Sequence, residues 1–277
     1  MNFKIVSDSS SNILEWSQKD YCTVPLKIIL GEDEYVDNKD LDVANMVEAM
    51  SRSKAKCSTS CPNVFDWLDA FGDAKEIFAI TITSHLSGSY SSALQAKEEY
   101  IKNNPNAKVY VIDSLSTGPE MQLIIEKLFE LDENGATFEE AVETIKKYCQ
   151  TTELLFSLES LRNLAKNGRV SPAVAKIAGV LGIRVVGKAE NGELYPLHKC
   201  RGEKKAIETI SEEILNLGFK GGKIRISHCQ NIGAAEKIAE NIKSKFPNCD
   251  IKIGECTALC SFYAEKGGLL IGLETEK

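Results

Sequence analysis

Long apolar runs are missing from this 277-residue sequence. Nothing approaches the roughly 18 consecutive residues that would cross a bilayer, and the N-terminal MNFKIVSDSSSN lacks the charged start and apolar stretch of a secretory signal. A cytoplasmic protein with no stable membrane insertion is expected. Basic blocks are missing too: lysine and arginine total 33 against 40 acidic residues, a net charge of −7. Nucleic acid is therefore not an expected partner, because counterion release needs a basic footprint. Histidine occurs only at positions 85, 198 and 228, and no GxGxxG dinucleotide fingerprint is present. GIRVVGKA (182–189) has P-loop spacing, but Ala189 replaces the Mg²⁺-binding Ser or Thr and the intervening residues are strand-like. Nine cysteines, an odd number without a secretory signal, point to reduced and mostly buried thiols.

What is present is alternation. Strand-like runs at 3–6, 24–30, 77–82, 108–112 and 153–157 are separated by helical patterns near 40–52, 62–71, 88–103, 118–133 and 138–150. Such alternation predicts an α/β fold with a parallel sheet wrapped by helices. Pro62 suits a first helical position, and Thr137 with Glu140 makes a capping box. Beyond residue 158 the pattern predicts helices near 158–166 and 171–181, then a hairpin turning at Asn191-Gly192. Helices at 203–217 and 232–245, strands at 223–228 and 250–255, and a final strand in GLLIGL follow. Two α/β domains are expected, 1–155 and 156–277, the second with mixed pairing.

The chemical signal lies in hydroxyl-rich junctions. FAITITSHLSGSYSSALQA (78–96) ends a strand in Ser84, Ser87, Gly88 and Ser89 and turns at once into a helix, whose free N–H groups favour an anion. VSDSSSN (6–12), CSTSCPN (57–63) and IDSLSTG (112–118) repeat the design. Four such loops on one sheet edge predict a shared polar pocket suited to a carboxylate or phosphate. Asp8 and Asp113 sit at turns where aspartate is more often a local cap than a catalyst. Arg169, in LAKNGRVSP, is a candidate for anion pairing.

Two other readings compete. Ser87 near His85 suggests a serine-dependent lipid hydrolase, although no GxSxG elbow frames the serine. Cys57, Cys61, Cys256 and Cys260 form two CxxxC pairs that would make a thiol or zinc sensor if they met.

IVSDSSSN, STSCPN (58–63), SHLSGSYSSA (84–93), VIDSLSTG (111–118) and LRNLAKNGRVSP (161–172) stand in the order found in the DegV family, and the resemblance covers nearly the whole chain. It implies a two-domain DegV-like fold, with an N-terminal parallel sheet, a C-terminal mixed domain and a ligand tunnel at their junction. It also implies a carrier rather than an enzyme, which holds a long-chain fatty acid and presents its carboxyl group to a partner fatty-acid kinase. No other cofactor and no metal is implied. By motif match Thr59 and Ser87 would bind the carboxylate as a pair, Ser60 and Gly88 would shape the loops around it, Ser89 would belong to the same ligand-binding set, and Arg169 would lie close to the head group or the kinase-facing surface. Val174, Ile177, Ala178 and Leu181 are candidates to line the tunnel. One departure stands out: the family's C-terminal GTHxGPG segment carries a head-group histidine, whereas GECTALCSFYAEKGGLLIGL here has none. One hydrogen bond fewer is expected, about 1.5–3 kcal/mol for a charged acceptor.

Overall fold

The structure is a computed structural model that describes residues 3–16, 20–53, 55–171, 174 and 182–276. Most of the helix expected over 171–181 falls outside the described residues, as do Ile177, Ala178 and Leu181.

Strand β1 (Lys4–Asp8) runs into a 3-10 turn at Ser9–Ser11. The run expected as one strand over 24–30 is two, β2 (Tyr21–Val24) and β3 (Lys27–Leu30), in different sheets. Pro25 stands at the break, where a residue without an N–H cannot extend a ladder. β4 (Asp33–Val36), not anticipated, pairs antiparallel with β3. Helix α1 (Val43–Arg52) follows, then β5 (Cys57–Ser60), which pairs with the other edge of β3. The CSTS segment is thus a strand of a small antiparallel sheet, ordered β4-β3-β5, rather than a loop on the parallel sheet. Helix α2 (Val64–Phe71) starts two residues after Pro62, and its cap is Asn63, in a capping box with Asp66.

β6 (Glu76–Thr81), α3 (Ser89–Asn103), β7 (Lys108–Asp113), α4 (Pro119–Glu133) and α5 (Phe138–Tyr148) complete the first half. The parallel sheet has the order β2-β1-β6-β7. Its strands are apolar on both faces, as parallel strands covered on both sides are. Val6, Ile77, Ala79 and Val111 meet α2 and α3, while Ile5, Phe78, Ile80 and Ile112 meet α4 and α5. The Thr137 and Glu140 capping box is present at the start of α5.

β8 (Thr152–Leu158), α6 (Arg162–Lys166), β9 (Ile183–Glu190), β10 (Glu193–Arg201), α7 (Glu203–Asn216), β11 (Lys223–His228), α8 (Ile232–Lys243), β12 (Asp250–Glu255), α9 (Ala258–Ala264) and β13 (Leu269–Glu274) follow. A six-stranded mixed sheet runs β10-β9-β8-β13-β11-β12, with only β11 and β12 parallel. The GIRVVGKA stretch is strand β9, and Asn191 and Gly192, both at positive φ, close its hairpin. One face of this sheet packs under α7 and α8. The other faces the small sheet, α1, α6 and α9 across a core that includes Ile28, Met46, Phe156 and Phe262. Helix α4 wedges between the two large sheets. Gly272 on β13 admits it, since a Cβ there would lie 2.5 Å from the Glu120 backbone nitrogen.

Candidate functional site

The carboxyl edge of the parallel sheet is organised by Asp8. This residue is fully buried at the end of β1, and its Oδ2 accepts hydrogen bonds from the Ile82 amide at 2.9 Å and the Ser89 hydroxyl at 2.6 Å. Its Oδ1 accepts from the Ser10 amide at 3.2 Å and the Ser10 hydroxyl at 2.5 Å. Burial pushes the Asp8 carboxyl above its ordinary range, and these four donors pull it back. The carboxylate thus ties together the ends of three elements, β1, β6 and α3. Asp113 does the same on a smaller scale, accepting from the Ser84 and Leu115 amides at 3.1 Å each.

Behind this edge lies an apolar cavity of about 60 Å³, walled by leucines such as Leu26, Leu154, Leu158 and Leu270 together with Phe156. Four of its polar groups come from separate elements. Thr59 stands on β5, Ser87 on the loop between β6 and α3, Arg169 just beyond α6, and Tyr263 on α9. The Thr59 hydroxyl and the Tyr263 hydroxyl are 2.9 Å apart. Ser87 Oγ accepts from the Ser89 amide at 3.3 Å, which sets it at the start of α3. Arg169 Nε donates to the Leu86 carbonyl at 3.0 Å and Nη1 to the Asn167 carbonyl, so the guanidinium braces the Ser87 loop. Burial raises the Tyr263 phenol, which stays neutral and keeps a proton to donate, while the nearby Arg169 charge acts in the opposite direction.

Three sequence candidates therefore meet at the cavity: Thr59, Ser87 and Arg169. Ser60 is exposed, with its hydroxyl on the Cys61 carbonyl at 3.4 Å. Gly88 is exposed and N-caps α3. A Cβ there would come within 3.1 Å of the Cys61 sulfur. Ser89 is buried with its hydroxyl committed to Asp8. Val174 packs against the core that forms the cavity's surroundings. Two polar residues at the cavity were not among the site residues named from sequence. Tyr263 comes from the same C-terminal segment that lacks a histidine, and a tyrosine in an apolar helix needs a partner for its hydroxyl. Thr117, in the STG turn, lines the wall beside Cys260.

Neither competing reading finds its geometry. His85 is half exposed and turns its Nδ1 toward Glu193 at 3.7 Å, not toward Ser87. Gly192 of the β9–β10 hairpin packs against it, with its carbonyl accepting from Thr83 Oγ1 at 3.0 Å. The four sensor cysteines do not converge. Cys57 opens β5 and Cys61 follows its last residue, while Cys256 and Cys260 are buried around α9. Among the described residues no group of three or more His, Cys, Asp or Glu side chains could hold a metal ion. Burial raises the Cys260 thiol to about 12, so it is a neutral S–H group at physiological pH.

No helix among the described residues is long and apolar enough to cross a membrane. Residues 2–276 match the model of a family described as uncharacterised proteins of the DegV family. A DegV domain-containing protein of Streptococcus pneumoniae strain R6 is 42% identical over the full length of both chains. Among solved structures, a DegV family protein from Eubacterium eligens, loaded with heptadecanoic acid, superposes with a TM-score of 0.96 at 43% identity over 99% of this chain and 100% of its own. The fatty acid kinase B3 protein of Streptococcus pneumoniae, loaded with linoleic acid, superposes with a TM-score of 0.97 at 42% identity over the whole of both chains.

Proposed function

The chain belongs to the DegV family, and from that premise we propose that it is a fatty-acid carrier in the cytoplasm that buries the acyl tail and offers the carboxyl group to a partner kinase. The observation that carries this reading is the meeting of Thr59, Ser87, Tyr263 and Arg169 at one apolar cavity, in a fold shared with relatives at 42–43% identity that hold heptadecanoic and linoleic acid. Thr59 and Ser87 would donate to the carboxylate, and the Tyr263 hydroxyl, 2.9 Å from Thr59, would be a third donor. Arg169 would supply charge, with its remaining N–H groups turned to the anion. Such a site lacks a nucleophile paired with a base. Phosphoryl transfer would belong to the kinase, and the fatty acid would be the only small molecule the carrier requires.

Tail burial is favourable at about 0.8 kcal/mol per methylene. The cavity's 60 Å³ is far below the roughly 300 Å³ at which ligand pockets begin. Uptake of a long chain would therefore part the flexible leucine side chains of the wall. Mass spectrometry of organic extracts from gently purified protein tests the reading, with Thr59→Ala/Ser87→Ala as the comparison. One fatty acid per chain, lost in the variant, is expected. A wild-type protein that carries none and takes up none when offered long-chain acids would sink it.

A further inference from the structure

Glu265 closes α9 in a backbone conformation that does not suit it. At φ 54° and ψ 171° it occupies a region that glycine enters freely and a residue with a Cβ rarely does. Its amide donates to the Ser261 carbonyl at 3.0 Å and its carbonyl accepts from the Gly268 amide at 3.1 Å, which holds the chain in this turn. A helix end at positive φ is ordinarily closed by glycine. The side chain of Glu265 therefore has to offset the strain of its backbone.

What it contributes is a buried carboxylate turned onto α6. Oε1 accepts from the Ser160 hydroxyl at 2.8 Å and the Asn163 amide at 3.0 Å, and Oε2 accepts from Arg162 Nη2 at 3.2 Å. Asn163 adds a second tie, with its Nδ2 donating to the Phe262 carbonyl at 2.8 Å. Helix α6 has five residues, too few to be stable alone, and its N-cap is Leu161, whose side chain cannot cap it. Leu164 fastens its buried face, and its start is set from α9.

The far end of α6 leads to Arg169. Asn167 Nδ2 donates to the Asn163 carbonyl at 2.9 Å, and the Arg169 amide donates to the Leu164 carbonyl at 2.8 Å. The guanidinium then reaches the Asn167 and Leu86 carbonyls. A continuous run of hydrogen bonds thus joins Glu265 through α6 to Arg169 and the Ser87 loop. It begins two residues from Tyr263, at the end of the helix that supplies that hydroxyl.

We propose that Glu265 is a positioning residue, which through α6 sets Arg169 at the carboxylate beside Thr59, Ser87 and Tyr263. The proposal rests on the fatty-acid reading and deepens it.

The test is a calorimetric titration of delipidated protein with tetradecanoic acid and with 1-tetradecanol, which has the same tail and no charge for Arg169 to meet. The ratio of the two affinities reports the arginine. Arg169→Ala, the reference, should lower that ratio about tenfold or more, the worth of a hydrogen bond to a charged group. Glu265→Gly relieves the backbone and removes the carboxylate. It should lower the ratio about three- to tenfold, leave tetradecanol affinity unchanged, and add nothing to Arg169→Ala in the double variant. Glu265→Gln keeps an acceptor for Ser160 and Asn163 and should restore most of the ratio. Asn163→Ala cuts the same path at its next link and should reproduce the loss, which decides the matter if Glu265→Gly does not fold. A ratio equal to wild type in Glu265→Gly and Asn163→Ala, or an equal weakening of acid and alcohol, overturns the proposal and leaves the carrier reading standing. If Arg169→Ala leaves the ratio unchanged, or wild type binds no acid, the head-group reading falls and this proposal with it.

Discussion

The carboxylate of Asp37 caps a helix that begins 221 residues later in the chain. Its Oδ1 accepts the Ala258 amide at 2.8 Å, and its Oδ2 accepts the Leu259 amide at 3.1 Å and the Thr257 hydroxyl at 3.2 Å. The first turn of α9 has unpaired amides and a positive end, and a buried carboxylate answers both. Because α9 carries Tyr263 and Cys260, Asp37 positions the cavity wall without touching a ligand. Asp37→Ala would orphan these donors and cost on the order of 2–4 kcal/mol in urea unfolding, with weaker fatty-acid binding alongside. Unchanged stability would show that α9 is held by packing alone.

The same residue gives a pH dependence. Burial pushes the Asp37 carboxyl from 3.8 to about 6, against the pull of its hydrogen bonds. The folded state therefore holds a proton that the unfolded chain has released, and the associated stability is fully present below pH 3.8 and lost as pH rises through about 6. From that shift the difference in unfolding free energy between wild type and Asp37→Asn should move by roughly 3 kcal/mol over this window, with wild type relatively more stable at the acid end. A difference that stays flat from pH 4 to pH 7 would contradict the assignment.

Tyr263→Phe removes one hydroxyl and little else. Fatty-acid affinity should fall about three- to tenfold with unfolding free energy almost unchanged, because only the 2.9 Å contact with Thr59 is lost. Affinity equal to wild type would remove Tyr263 from the head-group site.

Ser87 and Ser89 stand two residues apart and should respond in opposite ways. Ser89→Ala strips a 2.6 Å donor from the buried Asp8 carboxylate and should cost about 1–3 kcal/mol of stability. Ser87→Ala gives up the long 3.3 Å bond from the Ser89 amide, so it should cost no more than about 0.5–1 kcal/mol of stability and weaken binding instead. Paired denaturation and binding measurements separate the two roles. Equal binding losses in both would make Ser89 a ligand contact.

Local chemistry made much of this legible. The β–α alternation, the Thr137 capping box and the Asn191-Gly192 turn each follow from neighbours in sequence, and Asp8 and Asp113 cap their turns as aspartates at such positions do. What escaped depends on distant partners. VPLKIIL reads as one strand although Pro25 marks the break, because it takes tertiary context to send the two halves to different sheets. The Ser58-Thr59-Ser60 run has the composition of a loop, yet it pairs with β3 once Ile28 is buried beneath α1. Asp37 looks like any surface aspartate until the helix it caps arrives from the other end of the chain.

Arg225 offers the severest test of how the two large sheets are joined. It lies on β11, only 1% exposed, and grips Glu126 of α4 through Nε at 2.8 Å and Nη2 at 2.6 Å, with Asp250 also at 2.6 Å from Nη2. Burial lowers its basicity, and the hydrogen bonds to Glu126 and Asp250 more than restore it, so the guanidinium stays charged. Glu126→Ala would leave that charge buried with the half-exposed Asp250 as its one carboxylate partner among the described residues, beside the Ile224 and Asp250 carbonyls, a loss of about 3–5 kcal/mol. Replacing the pair together, Arg225→Met with Glu126→Leu, removes both the attraction and the desolvation penalty and should recover most of that loss in urea unfolding. A double variant as unstable as Glu126→Ala would mean that the ion pair itself, through its fixed geometry, holds α4 in its wedge between the sheets.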